Sequence, residues 1–121
     1  MLVNKSCSSK ANKQRKLHFN ADSAKRRILM TTRLEKVLAE QYKVKSLPIR
    51  QGDIVKVVKG THKGQTSTVS AVCRRTFCVA LESIKRENSK KKTRPVLISP
   101  ANVVITELKL TQTRRKQLSI N

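Results

Sequence analysis

Glycine, proline, aromatic and acidic residues are all scarce in this chain of 121 residues. It contains 3 glycines, 3 prolines and no tryptophan, and its aromatic residues are Phe19, Tyr42 and Phe77. No apolar run approaches the roughly 20 residues that a membrane-spanning helix needs, which excludes such a helix. With so few large apolar groups, we expect one small core surrounded by solvated or partner-ordered segments.

The shortage of acid leaves a large excess of positive charge. The chain has 28 Lys+Arg against 7 Asp+Glu, which gives a formal net charge of +21. A protein with this charge must disperse it or neutralise it with a polyanionic partner. A basic helix lying on a membrane would need Trp, Phe and Leu on one face, and these residues are too few here. The composition therefore favours nucleic acid as the partner and predicts no membrane partner.

Cysteine and acid patterns give no sign of metal binding or catalysis. Cys7, Cys73 and Cys78 lack the paired spacing of a zinc site, and His62 is the only imidazole near the last two. We expect reduced thiols in or near the core. The acids are scattered, and segment 60–64 does not match the GxxxxGK[ST] loop that binds phosphates. The sequence therefore predicts no enzyme, no catalytic residue, no cofactor and no metal.

The first part of the chain is predicted to be a basic arm followed by short helices. Residues 1–19 contain no acid, which predicts an extended arm that is disordered in isolation. A mitochondrial presequence has a similar composition, but these charges lack an amphipathic apolar stripe. Asn20 is expected to cap a short helix at about 21–30.

A second helix is predicted at about 32–42. Thr32 and Glu35 have the spacing of a capping box, in which each side chain accepts a hydrogen bond from the other residue's amide. Leu34, Val37, Leu38 and Tyr42 would then form one apolar stripe. Pro48 forces extended backbone on the residue before it and ends any helical continuation.

From Arg50 onward the apolar period changes to two, which is typical of strands. Strands are predicted near 54–58, 66–73, 76–82, 96–98 and 103–106, with a basic hairpin tip at Arg74 and Arg75 and a solvated loop at 85–92. Five short strands with frequent turns predict a mainly β fold that closes into a small barrel. The predicted organisation is a basic arm with short helices at 1–48, a barrel at 49–108 and a basic tail at 109–121 with a short helix.

All three glycines, Gly52, Gly60 and Gly64, fall within one short stretch around the first of these strands. Glycine takes positive φ without strain and lets another backbone come close. The loop between Gly60 and Gly64 is therefore expected to present its amides and Lys63 to an irregular phosphate backbone.

The pattern Gly-Asp-x-Val-x-Val-x-x-Gly-x-x-Lys-Gly at 52–64 resembles the KOW motif. Segments 15–21, 26–29, 34–36, 42–50, 99–106 and 108–110 resemble the flanks of one KOW family, the eukaryotic and archaeal large-subunit ribosomal protein numbered twenty-six in eukaryotes and twenty-four in bacteria. The resemblance covers about residues 13–118. Ser67 stands where the family usually has glycine, and Thr68 stands at an adjacent position that is usually basic.

The resemblance implies an SH3-like (KOW) barrel seated on folded RNA, with an N-terminal extension that runs into ribosomal RNA. It implies a structural constituent of the large ribosomal subunit near the polypeptide exit tunnel. The expected partners are large-subunit rRNA and neighbouring large-subunit proteins, with no homo-oligomer. The expected location is the cytoplasmic ribosome, with assembly in the nucleolus if the cell is eukaryotic.

RNA contact is expected from the basic and imidazole side chains of the arm, the loops and the tail, by phosphate neutralisation and counterion release. These residues are Lys10, Lys13, Arg15, Lys16, His18, Arg26, Arg27, Arg50, His62, Lys63, Arg74, Arg75, Arg114 and Arg115. His18 and Phe19 have two interpretations: they stack on an unpaired base, or Phe19 fills the small core.

Two other classes of function fit parts of the sequence. A KOW-type transcription elongation factor would contain the same motif, but such proteins generally pair it with an acidic or mixed domain. A nucleic-acid chaperone or architectural DNA-binding protein would account for the charge of +21 but not for the flanking segments.

Overall fold

A computed structural model describes residues 8–118, which form a mainly β fold with short helices. The seven strands are β1 (Thr31–Leu34), β2 (Ser46–Pro48), β3 (Ile54–Val57), β4 (Thr66–Cys73), β5 (Cys78–Glu87), β6 (Thr93–Ile98) and β7 (Val103–Glu107). The four α-helices are α1 (Ala11–Phe19), α2 (Ser23–Leu29), α3 (Lys36–Tyr42) and α4 (Gln112–Gln117), and a 3-10 turn spans Pro100–Asn102. None of these helices is long and apolar enough to cross a membrane.

The described strands form one open sheet in the order β2-β1-β7-β3-β4-β5-β6. The predicted closed barrel is therefore not what the strand pairing gives. Strand β1, which the sequence assigned to a helix, lies parallel to β7, with Arg33 opposite Val104 and Leu34 opposite Ile105. This pairing occupies the free edge of β7, and β2 then becomes one end of the sheet while β6 is the other.

The core takes buried residues from all seven strands of this sheet. Val55, Val79, Leu81 and Ile105 are each 0 % exposed, and they come from β3, β5 and β7. Alternate residues of β3 point inward because side chains of a strand alternate between its faces. Each fully buried aliphatic side chain of this size contributes about 1.5–3 kcal/mol, and these four belong to a larger cluster of buried apolar residues that stabilises the sheet.

The predicted helix at 32–42 is wrong at its beginning. Thr32 lies in β1, is 0 % exposed, and donates its hydroxyl hydrogen bond to the carbonyl of Pro100 at 3.3 Å. Thr32 and Leu34 are both buried, which is the period of a strand, so burial against the sheet overrides the capping-box spacing. The helix begins at Lys36, and Val37 is 68 % exposed and not part of an apolar stripe.

The described part of the N-terminal arm is also more ordered than predicted. Residues Ala11–Phe19 are helical, where an extended arm was expected. The next helix, α2, is capped by Asp22, whose carboxylate accepts from the Lys25 amide at 2.9 Å, and not by Asn20. Strands β1 and β2 lie within residues 1–48 and yet pair into the same sheet as the rest.

The C-terminal tail folds back as the short helix α4, as predicted. Its cap is Thr111, whose hydroxyl accepts from the Arg114 amide at 3.3 Å. Positive φ at the three glycines is confirmed, because the φ angles of Gly52, Gly60 and Gly64 are +95°, +97° and +91°.

Candidate nucleic-acid interface

Arg114 does not lie on the surface, contrary to its predicted place among the RNA contacts. It is 2 % exposed and pairs with Asp53, which is 0 % exposed. Arg114 Nη1 donates to Asp53 Oδ1 at 2.5 Å, and Nη2 donates to Oδ2 at 2.9 Å. Nη2 also donates to the Pro48 carbonyl at 2.8 Å. Both terminal nitrogens of this guanidinium donate inside the protein, and these bonds hold α4 against the sheet.

The Asp53 carboxylate accepts hydrogen bonds both from the segment before β3 and from the C-terminal tail. It accepts from the backbone amides of Arg50 and Lys109, each at 3.1 Å. The Arg50 side chain donates to the Thr111 hydroxyl at 3.2 Å, so Arg50 is half-buried and partly used internally. We call Asp53, Arg114 and Thr111 the tail clamp. A buried charge is tolerated only when its hydrogen-bonding positions are filled, as they are here.

Helix α1 is held by stacking of aromatic rings on the β4–β5 hairpin tip. The His18 ring stacks on Phe77 with centroids 4.2 Å apart and planes at 27°. Phe19 meets Phe77 edge-on at 5.8 Å and stays 46 % exposed. Phe19 therefore does not fill the core, and the face of His18 toward Phe77 is already occupied within the protein. We call His18, Phe19 and Phe77 the aromatic dock.

Arg26 ties the aromatic dock together through main-chain carbonyls. Its guanidinium donates to the carbonyls of Arg74 and Arg75, both at 3.0 Å, and to those of Phe19 and Ala21. Its guanidinium carbon also lies 5.0 Å from the centre of the Phe77 ring. Arg26 is thus mainly a structural residue. By contrast, Arg27 makes one long contact, 3.5 Å to the Gln117 side chain.

Most of the other predicted contact residues lie on the surface. The exposed ones are Lys10, Lys13, Arg15, Lys16, Lys63, Arg74, Arg75 and Arg115, while His62 and Arg27 are half-buried. Docking of α1 places its C-terminal end against the hairpin tip that contains Arg74 and Arg75. The sequence alone did not show this arrangement, because it depends on the contact between α1 and Phe77.

The loop from Gly60 to Gly64 is a turn closed by backbone hydrogen bonds, with free space beside both glycines. The Gly64 amide donates to the Val57 carbonyl at 2.8 Å, and the Lys63 amide donates to the Gly60 carbonyl at 3.3 Å. A Cβ placed on Gly60 or Gly64 would have no heavy atom within 4 Å. The surface beside the loop is therefore unobstructed, and Lys63 projects from it into solvent.

A basic groove lies between β1, the segment before β2, the loop after β3 and the beginning of β7. Its volume is about 590 Å³, and its lining includes Arg33, Lys45 and Lys59 together with the hydroxyl-bearing Thr31 and Ser46. None of its lining residues, all within the described part of the chain, is acidic. We call Arg33, Lys45 and Lys59 the groove cations. The β-branched Thr31 and Thr32, followed by polar Arg33 and apolar Leu34, were the sequence signal that could have identified Arg33 as an outward strand residue.

Ser67 has an internal role. It is 8 % exposed, and its hydroxyl accepts from the Ser83 amide at 3.0 Å. This hydrogen bond joins β4 to β5 within the protein, so the Ser67 side chain is used internally. Within residues 8–118, no group of three or more His, Cys, Asp or Glu side chains could hold a metal ion.

Comparison with known proteins shows the family. Residues 8–120 match the family model that describes the eukaryotic L26 ribosomal proteins and their archaeal counterparts. The chain belongs to this family of ribosomal proteins.

Curated members of this ribosomal protein family match nearly the whole chain. The protein named large ribosomal subunit protein uL24 of Schizosaccharomyces pombe is 40% identical over 115 residues, which are 95% of this chain and 91% of that protein. The protein of the same name from Candida albicans is 42% identical over 113 residues, 93% of this chain and 89% of its own. That of Caenorhabditis elegans is 41% identical over 115 residues, 95% and 81% of the two chains. The tail clamp, the aromatic dock and the groove cations all lie within the region that the family model matches.

Proposed function

We propose that this protein is a structural constituent of the large ribosomal subunit, binds rRNA by neutralising phosphates and carries out no catalysis. The observation that carries the proposal is the family match over residues 8–120. The net charge of +21 supports it, because repulsion among so many like charges destabilises a compact protein unless a polyanion neutralises them. We propose a position near the polypeptide exit tunnel of the cytoplasmic subunit, with nucleolar assembly if the cell is eukaryotic.

Two groups of exposed cations supply the proposed contacts. The first combines the α1 residues Lys13, Arg15 and Lys16 with Arg74 and Arg75 at the hairpin tip, next to the aromatic dock. Folded RNA is recognised mainly by shape, 2′-hydroxyls and phosphates. A rigid spacing between cations therefore favours one RNA surface over another, and the aromatic dock supplies that rigidity.

The second group is the groove cations, Arg33, Lys45 and Lys59. They approach one concave surface from β1, from the segment before β2 and from the loop after β3. An arginine matches two phosphate oxygens with a planar fork, while the lysines act as point charges. We infer that a strand of rRNA backbone follows this groove, with Ser46 offering a hydroxyl group at its wall.

We infer that β3 to β7 correspond to the SH3-like (KOW) barrel that the motif at 52–64 implies, in a partly opened form. The register supports this, because β4 pairs with β3 over Thr66–Thr68 and with β5 over Val69–Cys73, with a bulge between Val69 and Ala71. A bulge increases local twist and bends a strand. We propose that residues 49–108 act as the seat on RNA, with basic segments before and after it.

Neighbouring large-subunit proteins are the second class of partner that we propose. Leu17, Ile28 and Leu29 are 54%, 63% and 47% exposed, and they line the groove between α1 and α2. Phosphates gain nothing from contact with such side chains, whereas another protein would bury their apolar area.

Sedimentation of the native protein tests the proposed function. It should cofractionate with the large ribosomal subunit at low salt and be released at molar salt, because phosphate contacts weaken steeply as counterions are added. Comigration with RNA polymerase would instead support the KOW-type transcription elongation factor, and comigration with chromatin would support an architectural DNA-binding protein. Either result would overturn the proposal.

A further inference from the structure

Cys73 and Cys78 face each other across the last rung of the β4–β5 ladder. They are direct partners in the antiparallel register, Cys73 ending β4 and Cys78 beginning β5. Directly opposed residues in an antiparallel pair have Cα atoms about 4.5–5.5 Å apart and side chains on the same face of the sheet. A disulfide requires Cα atoms about 4.4–6.8 Å apart, so this rung meets the distance requirement without movement of the backbone.

Both sulfur atoms converge on Thr76 in the turn between the strands. The Thr76 hydroxyl donates to Cys73 Sγ at 3.1 Å, and Cys78 Sγ donates to the Thr76 carbonyl at 3.3 Å. Because both thiols form hydrogen bonds with Thr76, their side chains lie near each other in addition to the pairing of their backbones. Both cysteines are half-buried at the end of the sheet, so small oxidants in water reach them.

We propose that Cys73 and Cys78 form a redox modification site, a dithiol that a peroxide converts reversibly into an intramolecular disulfide. In the first step the Cys73 thiolate attacks one peroxide oxygen, the O–O bond breaks, and the second oxygen leaves as hydroxide or alkoxide, which takes a proton to become water or an alcohol. In the second step the Cys78 sulfur attacks the sulfur of the resulting Cys73 sulfenic acid, the S–O bond breaks, and the leaving hydroxide takes the Cys78 thiol proton and departs as water. The two thiols are thus oxidised by two electrons, and the peroxide is reduced by two.

The electrostatic setting of Cys73 suits it to the attacking role. The hydrogen bond from the Thr76 side chain is the main cause that lowers the pKa of the Cys73 thiol, with further help from the backbone of the turn and from Arg75. The thiolate is the nucleophile in reactions with peroxides. Cys78 is then the resolving residue, since it donates its own hydrogen bond and lies directly opposite.

The site lies beneath the aromatic dock. The disulfide would close the turn that contains Arg74, Arg75 and Phe77, which are the residues that hold α1 through Arg26 and His18. Covalent closure at this rung keeps β4 and β5 joined when the end of the sheet opens.

The experiment treats the full chain, with Cys7→Ser to leave two thiols, with stoichiometric hydrogen peroxide at neutral pH, and then blocks remaining thiols with N-ethylmaleimide. Trypsin cleaves after Arg74 and Arg75, so a disulfide appears as two peptides linked through Cys73 and Cys78, and dithiothreitol should separate them. We expect the link to form at least about tenfold faster in buffer than in concentrated urea, because the fold holds the thiols in place.

Two results would overturn the proposal. One is overoxidation of each cysteine to sulfinic acid with no linked peptide, and the other is an equal rate of linking in buffer and in urea. The single variants Cys73→Ser and Cys78→Ser serve as controls and should give no intramolecular link. The linked peptide is measured in the chain that keeps both thiols, so the result does not depend on how well the single variants fold.

Discussion

Arg114 and Asp53 form a two-point ion pair that is closed to solvent, with the guanidinium donating to both carboxylate oxygens at 2.5 and 2.9 Å. The two residues are 61 positions apart in sequence. The pair connects the beginning of β3 to α4, and it makes the C-terminal tail part of the folded unit.

Replacing Arg114 by Ala should therefore destabilise the protein strongly. It would leave the Asp53 charge buried without its main partner, and breaking a buried pair from one side costs about 3–5 kcal/mol. Urea unfolding of the purified protein measures the change. Arg115→Ala, at the exposed neighbouring position, is the matched control and should stay within about 0.5 kcal/mol of the parent. Equal effects of the two substitutions would show that the ion pair is not important for folding.

Substitution of Arg26 should loosen helix α1, whereas substitution of the adjacent Arg27 should not. Arg26→Ala removes hydrogen bonds to the carbonyls of Phe19, Arg74 and Arg75, and hydrogen bonds from charged donors contribute about 1.5–3 kcal/mol each. We expect α1 to detach, which hydrogen exchange of residues 11–19 would detect as lost protection. Arg27→Ala should leave that protection unchanged. Loss of protection in both variants, or in neither, would contradict the role of Arg26 in the aromatic dock.

Gly60→Val should damage the fold through backbone conformation alone. The φ angle of Gly60 is +97°, and an added Cβ would meet open space, so no steric clash with a neighbour contributes. A β-branched residue in such a conformation costs about 1–3 kcal/mol, which thermal unfolding would measure. Gly60→Asn should cost less, because asparagine adopts positive φ more readily. A Val variant as stable as the parent would mean that the turn can rearrange.

The groove cations should contribute more to RNA binding than an equal charge elsewhere. The triple variant with Arg33, Lys45 and Lys59 changed to Ala should bind large-subunit rRNA more weakly. The slope of log K against log salt should also fall by about one for each lost phosphate contact. The triple variant with Lys90, Lys91 and Lys92 changed to Ala loses the same charge from the exposed β5–β6 loop, and it should change binding much less. Equal losses in a filter-binding titration would show that charge acts without regard to position.

The reactivity of Cys73 should depend on Thr76. Because the Thr76 hydrogen bond lowers the pKa of the Cys73 thiol, more thiolate is present near neutral pH than for an ordinary cysteine. Thr76→Val removes the hydroxyl donor, so the pH midpoint of Cys73 alkylation by iodoacetamide should move upward. Alkylation of Cys78, followed in the same samples by peptide mass spectrometry, is the internal control. An unchanged Cys73 midpoint would show that the hydroxyl has no influence.

Much of the sheet could be predicted because its strands are encoded locally. Alternating Val55 and Val57 predicted a half-buried strand, and glycines at positive φ predicted the turns on either side. Arg74 and Arg75 were predicted at a hairpin tip, and they are there. In each case the deciding interactions lie within a few residues of one another.

The errors came from residues whose partners are distant in sequence. Thr32 and Glu35 have the local spacing of a capping box, but pairing with β7 and burial against Pro100 placed Thr32 in a strand. Phe19 does not fill the core, because His18 and Phe19 pack on the distant Phe77, while their stacking on a base stays a prediction.

Composition and short-range spacing were enough to predict most of the strands, and they favour nucleic acid as the class of partner. The net charge of +21 and the alternating motif bounded by glycines are properties of the sequence, so they do not depend on how the chain folds. Which cations face outward depends instead on the folded arrangement. Arg114 and Arg115 are equivalent in sequence, yet one is buried against Asp53 and the other is exposed, because the position of a distant carboxylate determines which guanidinium is desolvated.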